Sequence, residues 1–390
     1  MIETLQLDLA VQTLDRALTS EARRLGANLV HGHVSGCENP AAVYNRGLRK
    51  GIRGLGKPPD FYRKVHISTG SLADYVAVNH LVDLTQAGPD GVEEALLNAF
   101  LSRILREGTL PVPAGNLGSP ESPFFPTSGV LLRFNPMKRT GDYRADRGGT
   151  GMLFDADAIM AAAHHAVERC RIVNPDVAIG LILCFGRDLS HSVNRKLAEK
   201  IRKWRKLYSS IVGIDVAGDE RAMTLSESTD LDEMAECFEI AAGNGGEEFP
   251  RTGHCGETNA IDVATLCATV TRLKLIHVAH PIFPIKASWS GDDRALRLMS
   301  DLNVVAELCF GSNMRTGTIA SPAEFGRVLK TLDDWGIRYC FDTDNPELLR
   351  TTLALDLATL LLAGAITPEQ IENAFRTAHE CAFFRRLRAA

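Results

Sequence analysis

Near the amino terminus the chain reads LVHGHVSG, residues 29–36, with His31 and His33 alternating after an apolar run. On an extended strand, residues i and i+2 share one face. Two imidazoles side by side could bind a metal ion or could simply be polar residues ending a strand. Other apolar runs also end in residues capable of chemistry: Gly218-Asp219-Glu220, His254-Cys255-Gly256-Glu257, His280, Ser312-Asn313 and Asp342-Thr343-Asp344-Asn345. Three histidines and one aspartate drawn from different strands make a nitrogen and oxygen set suited to zinc, with one position left for water. Zinc lowers the pKa of such a water to about 7, which makes it a nucleophile at neutral pH. Glu257, three residues after His254, is placed to donate a proton to a substrate. His280 could orient or deprotonate the water, and His277 in the same run competes with it for that role.

These groups need strands to position them. LGANLVHGHV, GVLLRFNP, VAIGLILCFG, IVGIDVAGDE, FPRTGHCGE, LKLIHVAHPI, NVVAELCFGSN and IRYCFDTDNP are apolar nearly throughout, the pattern of strands covered on both faces. Helical patterns separate them, among them DADAIMAAAHHAVERC, which Asp155 or Asp157 can cap. The alternation predicts one domain over residues 1–390, a parallel (β/α)8 barrel with extra N-terminal and inserted helices and loops. Active sites of such barrels form at the carboxyl ends of the strands, where the polar residues fall. Residues 109–128 hold five prolines and read as an insertion loop, a lid or a partner surface.

With 45% hydrophobic and 23% charged residues, the composition is that of a soluble globular protein. A net charge of −5 gives no support to nucleic-acid or membrane-surface binding. No signal-peptide core or membrane span is expected. The nine cysteines form no CxxC pair and point to a reducing cytoplasm. GIRGLGK, residues 51–57, has P-loop spacing, but Pro58 stands where Ser or Thr should bind magnesium. Its basic neighbourhood, Arg46, Arg49, Lys50, Arg53 and Lys57, could still contact a substrate phosphate.

In their order along the chain the motifs resemble those of adenosine deaminases, the zinc-dependent purine branch of the amidohydrolase barrels. LVHGHVSG is similar to the family's first metal motif, and LLRFNP, GLILCFGRD and IVGIDVAGDE to segments that follow it. HCGE resembles its HAGE motif, HVAHPI its glycine-His-glycine strand, AELCFGSN its Ser-Asn segment, and FDTDNP its Thr-Asp-Asp-Pro signature. ITPEQIENAFRTAHECAFF looks like its closing helices. The resemblance implies one zinc ion per chain, bound by His31, His33, His254 and Asp344. Glu257 would protonate purine N1 as water attacks C6, His280 in preference to His277 would assist the water, and Asp344 would belong to the catalytic set as well. Gly218 would offer its backbone to the purine ring, and the products would be a 6-oxo purine and ammonia.

Two positions depart from the family. Ser35 stands where adenosine-specific members carry an aspartate that meets the ribose 5′-hydroxyl. Members acting on 5′-monophosphates also lack it, since a carboxylate there would repel phosphate. Asn345 replaces an aspartate that faces purine N7, although an amide can still donate there. The expected substrate is adenosine, deoxyadenosine, AMP or dAMP. The alternatives are a modified purine or other amine, and a partner-binding assembly component that keeps the barrel. The expected partner is a small-molecule purine, with a homo-oligomer or protein partner conceivable through the 109–128 loop. The H-x-E…P-C-x-x-C pattern of deaminases acting on flipped bases is absent, so nucleic acid is not an expected substrate.

Overall fold

In the computed structural model, Ala27–Leu29 (β1), Thr127–Phe134 (β2), Ala178–Gly186 (β3) and Ile211–Ala217 (β4) form one sheet, with every neighbouring pair parallel. His277–Ala279 (β5), Val305–Leu308 (β6) and Tyr339–Phe341 (β7) form a second parallel sheet. The structure describes residues 4–66, 78, 81–110, 123–141, 154–243 and 249–389. Residues 251–254 join the sheets: Thr252 N donates to Ile214 O at 2.9 Å and His254 N to Val216 O at 3.0 Å, while Ala279 N donates to Gly253 O at 2.9 Å. Between β7 and β1 the barrel closes through a Gly32–Asp344 bridge, where His33 N donates to Asp344 O at 3.2 Å. With residues 251–254 as the remaining stave, this is the expected parallel (β/α)8 barrel.

The strands form where the sequence has no polar face to offer. β3 is buried at every position but its first, and β5, β6 and β7 throughout. The helices carry their own start signals: Asp155 accepts from Asp157 N ahead of Ala156–Val173, and Thr367 and Gln370 form a capping box ahead of Pro368–His379. The last helix, Ala382–Ala389, packs on β3 and β4, and its Phe383 and Phe384 join Leu131, Ile182 and Val212 in one buried cluster. A Cβ at Gly213 of β4 would lie 2.3 Å from the Phe383 ring, so only glycine permits this close approach.

The opening helical pattern is two helices, Thr4–Ala17 and Ser20–Leu25, divided where Thr19 turns extended and caps the second. β1 ends at Leu29, but the extended backbone of His33 (φ −89°, ψ 133°) carries the alternation past it, and Val34–Cys37 forms a helical turn. Most of SLADYVAVNHLVDL, residues 111–122 of the proline-rich stretch, and 142–153 of the glycine-rich loop lie outside the described residues. All nine cysteines are free. Among the described residues no helix is long and apolar enough to cross a membrane.

Candidate active site

Three chain segments deliver the four ligand candidates to one point. His31 and His33 follow β1, His254 ends the 251–254 stave, and Asp344 follows β7. His33 Nε2 and His254 Nε2 lie 3.0 Å apart, and Asp344 Oδ1 lies 3.5 Å from His31 Nε2 and 3.7 Å from His33 Nε2. His31 Nε2 and Asp344 Oδ1 are buried with no hydrogen-bond partner. Buried polar atoms left unpaired are costly, and a cation at their meeting point would satisfy them together. The donor set of three imidazoles and one carboxylate fits a divalent ion of zinc's type. His280 borders the same point, since it also groups with His31 and His254.

The electrostatics favour positive charge there. Burial and Arg133 oppose protonation of His31, yet the carboxylates of Asp344 and Glu307 beside it raise it to about 9. Burial likewise opposes ionisation of Asp344, but His31 beside it, with His33, holds it well below the usual carboxylate range. Burial pushes His33 well below its ordinary value, which leaves a neutral imidazole with a lone pair to give. Both His280 (φ 53°) and Asp344 (φ 61°) have left-handed backbone, a strain of about 1–3 kcal/mol for a non-glycine residue. Each is held there by a strand-like bond: His280 N donates to Glu307 O, and Asp344 O accepts from His33 N.

A set of buried groups fixes these rings. Glu307 Oε2 lies 2.8 Å from His31 Nδ1, and Asp215 Oδ2 lies 3.1 Å from His254 Nδ1. Ser312 Oγ donates to Asp344 Oδ2 at 2.8 Å, leaving Oδ1 for the ion. Arg103 donates to Asp342 Oδ1 and Thr343 Oγ1, and Asp342 Oδ2 accepts from His31 N at 2.7 Å. His277 is buried, bonded to Glu307 Oε1 at 3.1 Å and packed edge-on against Phe383, away from the cavity wall.

A cavity of about 290 Å³ opens above this cluster, walled by His33, Ser35, Gly218, His254, Glu257, His280 and Asp344 among others. Glu220 clasps the HCGE turn: its Oε1 accepts from Gly256 N at 2.7 Å, and its Oε2 from Thr258 N at 2.7 Å. Burial, then the charges of Asp344 and Glu220, push Glu257 up to about 8. The carboxyl therefore keeps its proton at neutral pH and can act as a general acid. Burial and then His31 push His280 down to about 3, so its ring is neutral and able to accept. One pH consequence follows. The protonated fraction of Glu257 falls as pH rises through its value, and a bound divalent ion would lower that value from 8. kcat/KM should therefore decline on the alkaline side with a limb at or below about pH 8. A profile flat to about pH 10 would rule out Glu257 as the proton donor.

Ser35 and Gly218 (φ 114°) reach the cavity wall. Asn345 does not. It is fully buried against Gly36, where a Cβ would lie 1.7 Å from Asn345 Oδ1, so a contact with purine N7 has no geometric support here. The basic residues near GIRGLGK are also elsewhere: Arg46 is buried against Glu38, Arg49 pairs with Glu94, and Lys50 donates to Ala87 O. None of the five lines the cavity, whose cations among the described residues are Arg133, Lys138 and Arg139. The sequence reading missed Arg133, Asp215 and Glu307. Their signal was a charge in mid-strand, in LLRFNP, IVGIDVAG and AELCF, which must be paired if the strand is buried.

The family model described as adenosine deaminase matches residues 131–388. A curated relative, adenine deaminase from Agrobacterium fabrum, is 26% identical over 239 residues, which is 61% of this chain and 66% of that protein. The likeness thus spans just under two thirds of the relative's length. In three dimensions the chain is similar to Arabidopsis ADAL complexed with IMP, with a TM-score of 0.68, 16% identity, and 95% and 97% of the two chains covered. It is also similar to an amidohydrolase from Burkholderia ambifaria with bound Zn, with a TM-score of 0.63, 14% identity, and 98% and 95% covered. The family match takes in the stretch from β2 to the last helix, including His254, Glu257, His280 and Asp344. The chain belongs to the adenosine deaminase family.

Proposed function

We propose that this protein uses zinc to deaminate a 6-aminopurine nucleoside or its 5′-monophosphate hydrolytically. The observation that carries the reading is the placement of a buried carboxyl, Glu257, which burial pushes up to about 8, on the same cavity as the His31, His33, His254 and Asp344 cluster. Those four residues would hold the ion, which when bound acidifies a water. Glu257 gives its proton to N1 of the purine, which makes C6 electron-poor. His280, neutral and buried, takes a proton from the water that adds to C6. His280 passes that proton to N6, the C6–N6 bond breaks as the C6 hydroxyl returns a proton to Glu257, ammonia leaves, and a 6-oxo purine remains. The amidohydrolase with bound Zn supports zinc as the ion.

The sugar end of the substrate would meet Ser35, Lys138 and Arg139. Ser35 brings a hydroxyl in place of a carboxylate, so nothing at that position repels phosphate. Lys138 pairs with Asp188 at 2.7 Å and Arg139 with Asp83 at 3.0 Å. A phosphate would have to compete with these carboxylates, whereas a hydroxyl would not. Arabidopsis ADAL holds IMP, which supports the nucleotide; the adenine deaminase relative supports free adenine as a second reading. The zinc-loaded protein should release ammonia from adenosine, deoxyadenosine, AMP or dAMP, followed by the absorbance change at the purine. A higher kcat/KM for AMP than for adenosine assigns the nucleotide. Turnover of adenine alone, or of no purine at all, overturns the proposal.

A further inference from the structure

We propose that Arg133 is a positioning residue for the metal cluster: it ties together the two carboxylates that aim His31 and His254, without touching the ion itself. The inference rests on the metal reading above. Arg133 lies on β2 and is 1% exposed. Its Nη1 lies 3.1 Å from Asp215 Oδ2 on β4, and its Nη2 donates to Glu307 Oε2 on β6 and to Val30 O at 3.2 Å. One guanidinium therefore spans both sheets of the barrel. Each of the two carboxylate oxygens is shared with a ligand candidate, Asp215 Oδ2 with His254 Nδ1 and Glu307 Oε2 with His31 Nδ1. Glu307 Oε1 is occupied as well, by His277 Nδ1 and Thr252 Oγ1, both at 3.1 Å.

The arrangement has a charge logic. Two carboxylates against one guanidinium leave a single negative charge behind the two imidazoles. That surplus makes the ring nitrogens better donors to a cation. Without the guanidinium, the two buried carboxylates would lose the cation that joins them, and they would move apart or rotate away. Either response releases the rings they hold. A lysine keeps the charge but is a single point on a flexible stem, and it cannot bridge two carboxylates as a planar fork does.

The test uses the full chain with zinc as probe, in wild type, Arg133→Lys and Arg133→Met. The zinc Kd is read by competition with a chromophoric chelator, and melting temperature is taken with and without zinc. Arg133→Lys should raise the Kd by about 10- to 100-fold and narrow the gap between the two melting temperatures. A purely structural role would lower both melting temperatures together and leave the Kd within about twofold of wild type, and that result overturns the proposal. If Arg133→Met does not fold, Arg133→Lys decides. A wild-type protein that takes up no zinc overturns the metal reading, and this proposal with it. Normal uptake with an unchanged lysine variant overturns this proposal alone.

Discussion

Glu257→Gln is expected to lower kcat/KM by about 10²- to 10⁴-fold while zinc content stays at the wild-type level. Glutamine has the same shape and can sit in the same half-turn, but it has no acidic proton for N1. The clasp that holds the turn is made by Glu220 to backbone amides of Gly256, Glu257 and Thr258, and the substitution leaves it intact. The variant therefore separates chemistry from folding. Its stability supplies an internal check. A carboxyl whose folded value is raised to about 8 contributes stability that is complete below its unfolded value and is lost as pH rises through 8. Glutamine carries no such dependence, so relative to wild type the variant should gain melting temperature on the alkaline side. Wild-type turnover in Glu257→Gln would remove the proton donor from the mechanism.

The second large effect is expected from His254→Ala. The ring is nearly buried, with Nε2 at 3.0 Å from His33 and Nδ1 on Asp215. Removing it takes one ligand from the set and leaves Asp215 with Arg133 and the Cys184 thiol as partners. Turnover should fall by at least about 10³-fold, the scale set by the loss of a metal-activated nucleophile. Elemental analysis should find the bound metal largely lost. Stripping wild-type protein with a chelator should reproduce the loss, and added zinc should reverse it. A His254→Ala protein that keeps a full complement of metal and its activity would show that the cluster is assembled for another purpose.

The barrel was legible because each stave is an apolar run and each run ends in residues that do not belong in a core. GLILCFG and HVAHPI announce both a strand and its mouth. The ligand candidates were legible for the same reason, as polar groups at strand ends, and the structure brings His31, His33, His254 and Asp344 within reach of one point. What local sequence could not assign was partnership. Arg46 and Lys50 read as a basic surface beside a glycine-rich turn, but Glu38 and the carbonyl of Ala87, distant or differently placed in the chain, claim them. Asn345 adjoins Asp344 in sequence, yet the left-handed backbone at Asp344 and the contact with Gly36 send its amide away from the cavity. Strand pairing was also shorter than the apolar runs suggest: β1, β5 and β7 have three residues each, because the turns that carry the chemistry begin immediately after them.

The closure of the barrel has a kinetic meaning. The strands on either side of the seam, β1 and β7, are followed at once by His31, His33 and Asp344, and among the described residues one ladder bridge joins them. Arg103, reaching in from the helix Pro89–Arg106, fastens both sides through Asp342, Thr343 and the carbonyl of His31. Breathing of this joint would pull three of the four proposed ligands apart in a single event. The escape of a bound ion would then follow the local opening of the seam, held by a latch that is not one of the proposed ligands.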